Sequence, residues 1–156
     1  MRRLRNLPLL AVGCALALVS LPLALESQSS RIMGKVLWAV DDLKWVPMPG
    51  LEGAQQVPLW GDPTKGEHRI LYKWPAGTKV PVHTHTHGDR GIVISGTMTL
   101  AVEGAPPKKL PPGSYFSLAG GTKHATTCED GSPCIFYIER EGLFDAKMVQ
   151  DVGAKK

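Results

Sequence analysis

Between residues 55 and 140 the chain is cut into short pieces, and that punctuation sets most of what it can fold into. KVPVHTH, RGIVISG, TMTLAVEG, GSYFSL, KHATTC and PCIFYIER are each four to eight residues long and bounded by Gly, Pro or Asp. They are rich in the β-branched and aromatic side chains that suit a pleated, half-buried surface. Ahead of them, LWGDPTKGEHRILYKWPAG reads as a hairpin with GDPTKG as its connection. Seventeen glycines and thirteen prolines serve the many turns this requires. Outside the N-terminal leader no helical repeat of apolar residues appears, although a single helical turn is expected near Leu143–Met148. The reading is all-β, a small barrel or jelly roll whose closed sheet leaves an interior able to hold a ligand or metal.

The leader reads MRRLRNLPLLAVGCALALVSLPLALESQSS. Three arginines precede an uncharged apolar run from Leu7 to Leu25, the pattern of a secretory signal. Residues 1–27 are therefore expected to be a signal peptide, with an uncleaved anchor or a lipoprotein carrying lipid on Cys14 as alternatives. In each case the domain at 31–156 crosses the membrane and faces the periplasm or the exterior. The whole chain carries +4; removing Arg2, Arg3, Arg5 and Glu26 leaves +2. That charge is too weak for a nucleic-acid partner, and no basic stripe with interleaved aromatics is present. Membrane contact is expected only if the leader stays attached. Cys128 and Cys134 flank the turn-like EDGSP, where they either form a disulfide in an oxidising compartment or lie as two small buried side chains.

PVHTHTHGDRGIVISG places three of the five histidines within five positions. On a strand, His83, His85 and His87 share a face, with neighbours about 6.6 Å apart along it and the outer two about 13 Å apart. Two such imidazoles can converge on one ion at about 2.0–2.1 Å; three in a straight row cannot. A bend at His87-Gly88 returns Asp89 towards His83 and His85, and His124, in GGTKH, is placed to approach by barrel closure. A solvated histidine-rich strand binding metals adventitiously is the plainer alternative. His68, between Glu67 and Arg69 at the hairpin, is read as a surface residue. Arg90 is a candidate for binding an anionic substrate, or else a surface or ion-paired arginine. Glu67, Tyr72 and Tyr115 are available for acid–base work. Trp38, Trp45, Trp60 and Trp74 are core and rim packing or pocket lining.

The order of these residues resembles the cupin superfamily. Gly77, TKVPV, His83-Thr84-His85, THG, Asp89, RGIVIS and Gly96 match the first cupin motif, with Asp in place of Glu. Gly113, SYFSL, Ala119-Gly120-Gly121, TK, His124, ATT and Cys128 match the second, with Ala119 for Pro and Cys128 for Asn. The match covers roughly residues 55–140. It implies a single cupin jelly-roll barrel with His83, His85 and His124 as metal ligands and Asp89 in the acidic ligand position. Asp is one methylene shorter than Glu, so His87 is the alternative fourth ligand, giving an all-histidine site. The ion implied is one divalent metal, iron, manganese or zinc. LWGDPTKGEHRILYKWPAG and RGIVISGTM are similar to the cupin part of ChrR-type anti-sigma factors. The helical zinc-binding part of those factors is absent from this sequence, so sigma-factor control is not implied.

Three functions follow as expectations. One is an exported metalloenzyme with dioxygenase or isomerase-like chemistry on a small oxygen-rich or carboxylate-bearing molecule. Another is a non-catalytic periplasmic module that binds or senses a metal or small ligand. The third is a metal-stapled barrel whose surface forms a homodimer.

Overall fold

The structure is a computed structural model that describes residues 37–149. The signal peptide expected at 1–27 lies outside the described residues. Among the described residues no helix is long and apolar enough to cross a membrane.

A 3-10 turn at Val40–Asp42 is followed by eleven strands. They are β1 (Val46–Pro47), β2 (Gln55–Gly61), β3 (His68–Trp74), β4 (Lys79–Thr84), β5 (Asp89–Ser95), β6 (Met98–Val102), β7 (Lys108–Leu110), β8 (Tyr115–Leu118), β9 (His124–Cys128), β10 (Cys134–Arg140) and β11 (Lys147–Met148). One sheet has the order β1-β2-β3-β10-β5-β8 and the other β11-β4-β9-β6-β7, and every pairing is antiparallel. The expected strands all form, and β2 and β3 make the expected hairpin. The short β7, charged and flanked by prolines, carries little strand signal of its own; it forms by pairing with β6.

The helical turn expected near Leu143–Met148 does not form. Residues 143–146 carry no regular secondary structure, and Lys147–Met148 add β11 to the edge of β4, with Met148 opposite His83 and Lys147 opposite Thr84. Pairing to an open edge outweighs a local helical preference too short to nucleate.

Period-two alternation builds the core. In β3, His68, Ile70, Tyr72 and Trp74 point inward; in β10, Cys134, Phe136, Ile138 and Arg140 do. Val93, Met98, Leu100 and Leu110 pack against them from β5, β6 and β7. Trp74 meets the Phe136 ring edge-on at 4.9 Å, and Tyr72 lies 5.4 Å from the same ring, the tilted contacts that aromatic quadrupoles favour. Cys128 and Cys134 are joined as a disulfide, with Cα atoms 5.8 Å apart.

Candidate metal centre

His83 and His85 lie two residues apart, His83 at the end of β4 and His85 just beyond it. His124 opens β9 directly opposite His83. A tight junction makes this possible. Gly121 N–H donates to the His85 carbonyl at 2.8 Å, and a Cβ on Gly120 would sit 2.3 Å from the Thr86 carbonyl oxygen. The bend after His85 falls at Thr86–His87, and Gly88 serves it through close approach rather than unusual torsion. A Cβ on Gly88 would meet the Leu118 carbonyl at 2.7 Å.

The ligand nitrogens of His83, His85 and His124 all lie within 4.8 Å of one another, and all three side chains are buried. Each ring is oriented by a backbone carbonyl. Nδ1 of His83 bonds Pro81 O at 2.8 Å, that of His124 bonds Thr122 O at 2.9 Å, and that of His85 bonds Asp145 O. A carbonyl only accepts, so Nδ1 carries the proton in each ring and Nε2 keeps its lone pair. This is the outer-partner arrangement that fixes a metal-binding tautomer. Burial lowers the pKa of all three histidines, which favours the neutral, ligating form. Tautomer, burial and proximity all fit a divalent ion, and the three histidines could hold one.

The other sequence candidates are placed differently. Asp89 is buried, and its carboxylate is gripped by Arg140, with Nε to Oδ1 at 2.5 Å and Nη2 to Oδ2 at 2.6 Å. Its Oδ2 also lies 3.5 Å from His85 Nε2, but Asp89 does not join the mutual grouping of the three histidines. His87 packs instead against Gly142, where an added Cβ would fall 2.2 Å from its ring. Arg90 is on the outer face of β5, held by Glu141 at 2.8 Å and near Glu139 at 3.8 Å. It does not face the interior, because alternation along β5 turns Asp89 inward and Arg90 outward. The surface reading of His68 is corrected: it is fully buried, its Nδ1 on Gly66 O at 2.9 Å and its Nε2 3.5 Å from Arg140 Nη1.

The three histidines sit in the wall of a cavity of about 230 Å³. Its remaining lining is mainly apolar and includes Trp74, Val80, Leu100, Phe116 and Phe136, with Tyr72, Asp89, Thr126 and Arg140 as polar exceptions. Burial pushes the Tyr72 phenol up to about 12, so it stays protonated as a donor at neutral pH. Of the tryptophans, Trp74 lines the cavity, Trp60 lies under Arg69, Trp45 faces Lys73, and Trp38 is half exposed. Glu67 and Tyr115 are exposed and take no part.

Arg140 and the segment after it were missed from sequence. Arg140 had a signal in the alternation of PCIFYIER, which sets it in phase with Phe136 and Ile138. Asp145 had none. Its contact with His85 spans sixty residues, and its carboxylate bonds the Thr86 N–H at 2.8 Å and hydroxyl at 2.6 Å. Those bonds hold the Asp145 carboxyl down at about 2.

Two antiparallel sheets closed around such a histidine-lined cavity define a cupin, and solved cupin-2 domains share the fold. The model of the ChrR cupin-like domain matches residues 33–143, and the chain belongs to that family. Among solved structures, the polyketide cyclase RemF from Streptomyces resistomycificus is similar at 19% identity with a TM-score of 0.62, covering 74% of this chain and 86% of that one. KdgF from Halomonas sp. is 20% identical with a TM-score of 0.56, covering 68% and 94%. The DMSP lyase DddQ from Ruegeria pomeroyi DSS-3 is 20% identical with a TM-score of 0.58; 73% of this chain aligns, but it spans only 64% of the lyase. At these identities the likeness concerns the fold. No curated protein sequence matches this one significantly.

Proposed function

We propose that this protein is an exported metalloprotein that binds a small, partly apolar molecule bearing anionic oxygen and acts on it at a single divalent ion held by His83, His85 and His124. The observation that carries this reading is the convergence of three tautomer-fixed imidazoles on the wall of an apolar cavity. The chemistry a bound ion supplies is Lewis-acid polarisation of an oxygen ligand, or dioxygen activation if the ion is iron. The protein's own part is to orient and desolvate. The apolar walls exclude water, and Tyr72 offers a neutral hydroxyl donor. Three neutral imidazoles and a self-cancelling Asp89–Arg140 pair leave the charge of the ion uncompensated. A low-dielectric site with that excess favours an anionic ligand. Structural neighbours that include a polyketide cyclase and a DMSP lyase support small-molecule chemistry as the class.

Export rests on the leader pattern and is supported by the Cys128–Cys134 disulfide, a bond that persists in oxidising compartments. The mass of the mature protein tests it, through loss of the first 27 or so residues. A homodimer is supported by exposed Ile92, Ile94 and Tyr115 on the outer face of β5 and β8, and sedimentation would detect it as a doubled mass.

The reading against which this must be judged is a metal that only staples the barrel. An ion that handles a ligand keeps exchangeable water; a structural ion is closed by protein. Water proton relaxation of the manganese-loaded protein separates them. Enhanced relaxation that falls on adding oxalate supports an open site, and no enhancement with full metal occupancy refutes it.

A further inference from the structure

We propose that Arg140 is a positioning residue that withholds Asp89 from the metal, making this a three-histidine centre in a family motif that carries an acid at the fourth ligand position. The inference rests on the metal reading above and concerns which protein atoms reach the ion.

Strand register sets the arrangement. Arg140 on β10 lies opposite His68 on β3 and opposite Asp89 on β5, so the three side chains stand in one row across the sheet, all facing inward. Arg140 meets Asp89 fork to fork, taking both carboxylate oxygens. Its Nη1 faces His68 Nε2 at 3.5 Å. His68 gives its Nδ1 proton to Gly66 O, which leaves Nε2 as an acceptor. The Phe144 ring covers the guanidinium at 4.8 Å and also lies 5.8 Å from the His85 ring. The guanidinium is thus fixed on one edge by the acid, on another by His68 and across one face by Phe144. Arg140 and His68 are both fully buried, so water does not compete for these contacts.

Turning Asp89 to the ion would break two charge-assisted hydrogen bonds and strand a buried cation, a strongly unfavourable change. The short aspartate side chain favours the same outcome. Its carboxylate approaches His85 Nε2 but does not join the mutual group of the three nitrogens. Asp89 and Arg140 then act together as a neutral wall beside the ion.

The test is visible absorption of the cobalt-loaded protein, because cobalt bands report coordination number and donor type independently of any activity. The charge-neutral double variant Asp89→Asn/Arg140→Gln removes the carboxylate without stranding the guanidinium. Its cobalt spectrum is expected to match that of the parent. Arg140→Gln alone frees the carboxylate, and its spectrum is expected to shift and weaken as a fourth protein ligand joins. A changed spectrum in the double variant would overturn the proposal by showing that Asp89 is a ligand in the parent. An unchanged spectrum in folded Arg140→Gln would overturn it by showing that Arg140 is not what keeps the acid away. If Arg140→Gln does not fold, the double variant decides alone. Failure of the parent to bind cobalt would instead refute the metal reading itself.

Discussion

His83 stands directly opposite His124 across the β4–β9 pair, with ring centroids 4.3 Å apart. Residues forty-one positions apart become neighbours because β9 enters beside β4 after the Gly120–Gly121 turn closes against the backbone at His85 and Thr86. His85 completes the group 4.8 Å from His83 and 5.3 Å from His124, measured between rings.

Replacing any one of His83, His85 or His124 by Ala should cost more metal affinity than the roughly 10–100-fold that loss of an outer partner brings. His87→Ala should leave affinity within about a factor of three, because His87 packs on Gly142 away from the group. Competition titration with a chromogenic chelator checks both. Loss of binding in His87→Ala alone would contradict the assignment.

The fold was legible in the sequence wherever alternation and turn residues agreed, as in RILYKW and PCIFYIER. The two histidine-bearing motifs were legible through spacing. His68 was misread because its flanking charges, Glu67 and Arg69, look like a solvated hairpin end. Yet those neighbours point outward while His68 follows Ile70, Tyr72 and Trp74 inward. The fate of Asp89 could not be read from its own segment, because its partner comes from a strand fifty-one residues later. Asp145, likewise, is tied to the site only by its place beside β4. Side-chain partners that form across sheets leave no local trace in composition or spacing.

Acid should weaken the site below the ordinary histidine range. Burial lowers the pKa of His83, His85 and His124 from 6.5 in the folded protein, so folding favours their neutral forms. The stability they contribute is fully present above about pH 6.5 and is lost as pH falls from there through their lowered folded values. Metal affinity of the folded protein should hold through about pH 6.5 and drop only as pH falls through the lowered folded values, since ligation requires neutral imidazole. Metal titrations and chemical denaturation from pH 8 to pH 4.5 check this; flat affinity across that range would count against histidine ligands.

His68→Ala should destabilise the fold by at least about 1–3 kcal/mol, the cost of leaving a buried polar partner unsatisfied. Arg140 loses the acceptor facing Nη1, and the space of a fully buried ring opens beside it. Urea denaturation measures this. A change under about 0.5 kcal/mol, the range of ordinary surface substitutions, would mean that His68 does not hold Arg140.

Removing the Cys128–Cys134 disulfide as a double Ala variant should cost about 2 kcal/mol by the loop-entropy relation for so short a loop. The metal group should survive, because the bond ties the far ends of β9 and β10 from His124. Denaturation paired with metal analysis separates the two effects; loss of metal in a folded variant would contradict this placement.

The most direct measurement of the metal centre is elemental analysis of the protein isolated from its native cells, with His85→Ala isolated alongside. The expected result is one equivalent of a divalent metal in the parent and none in the folded variant. A parent protein that carries no metal and takes none up, or a variant that keeps its full equivalent, would contradict a centre built on His83, His85 and His124.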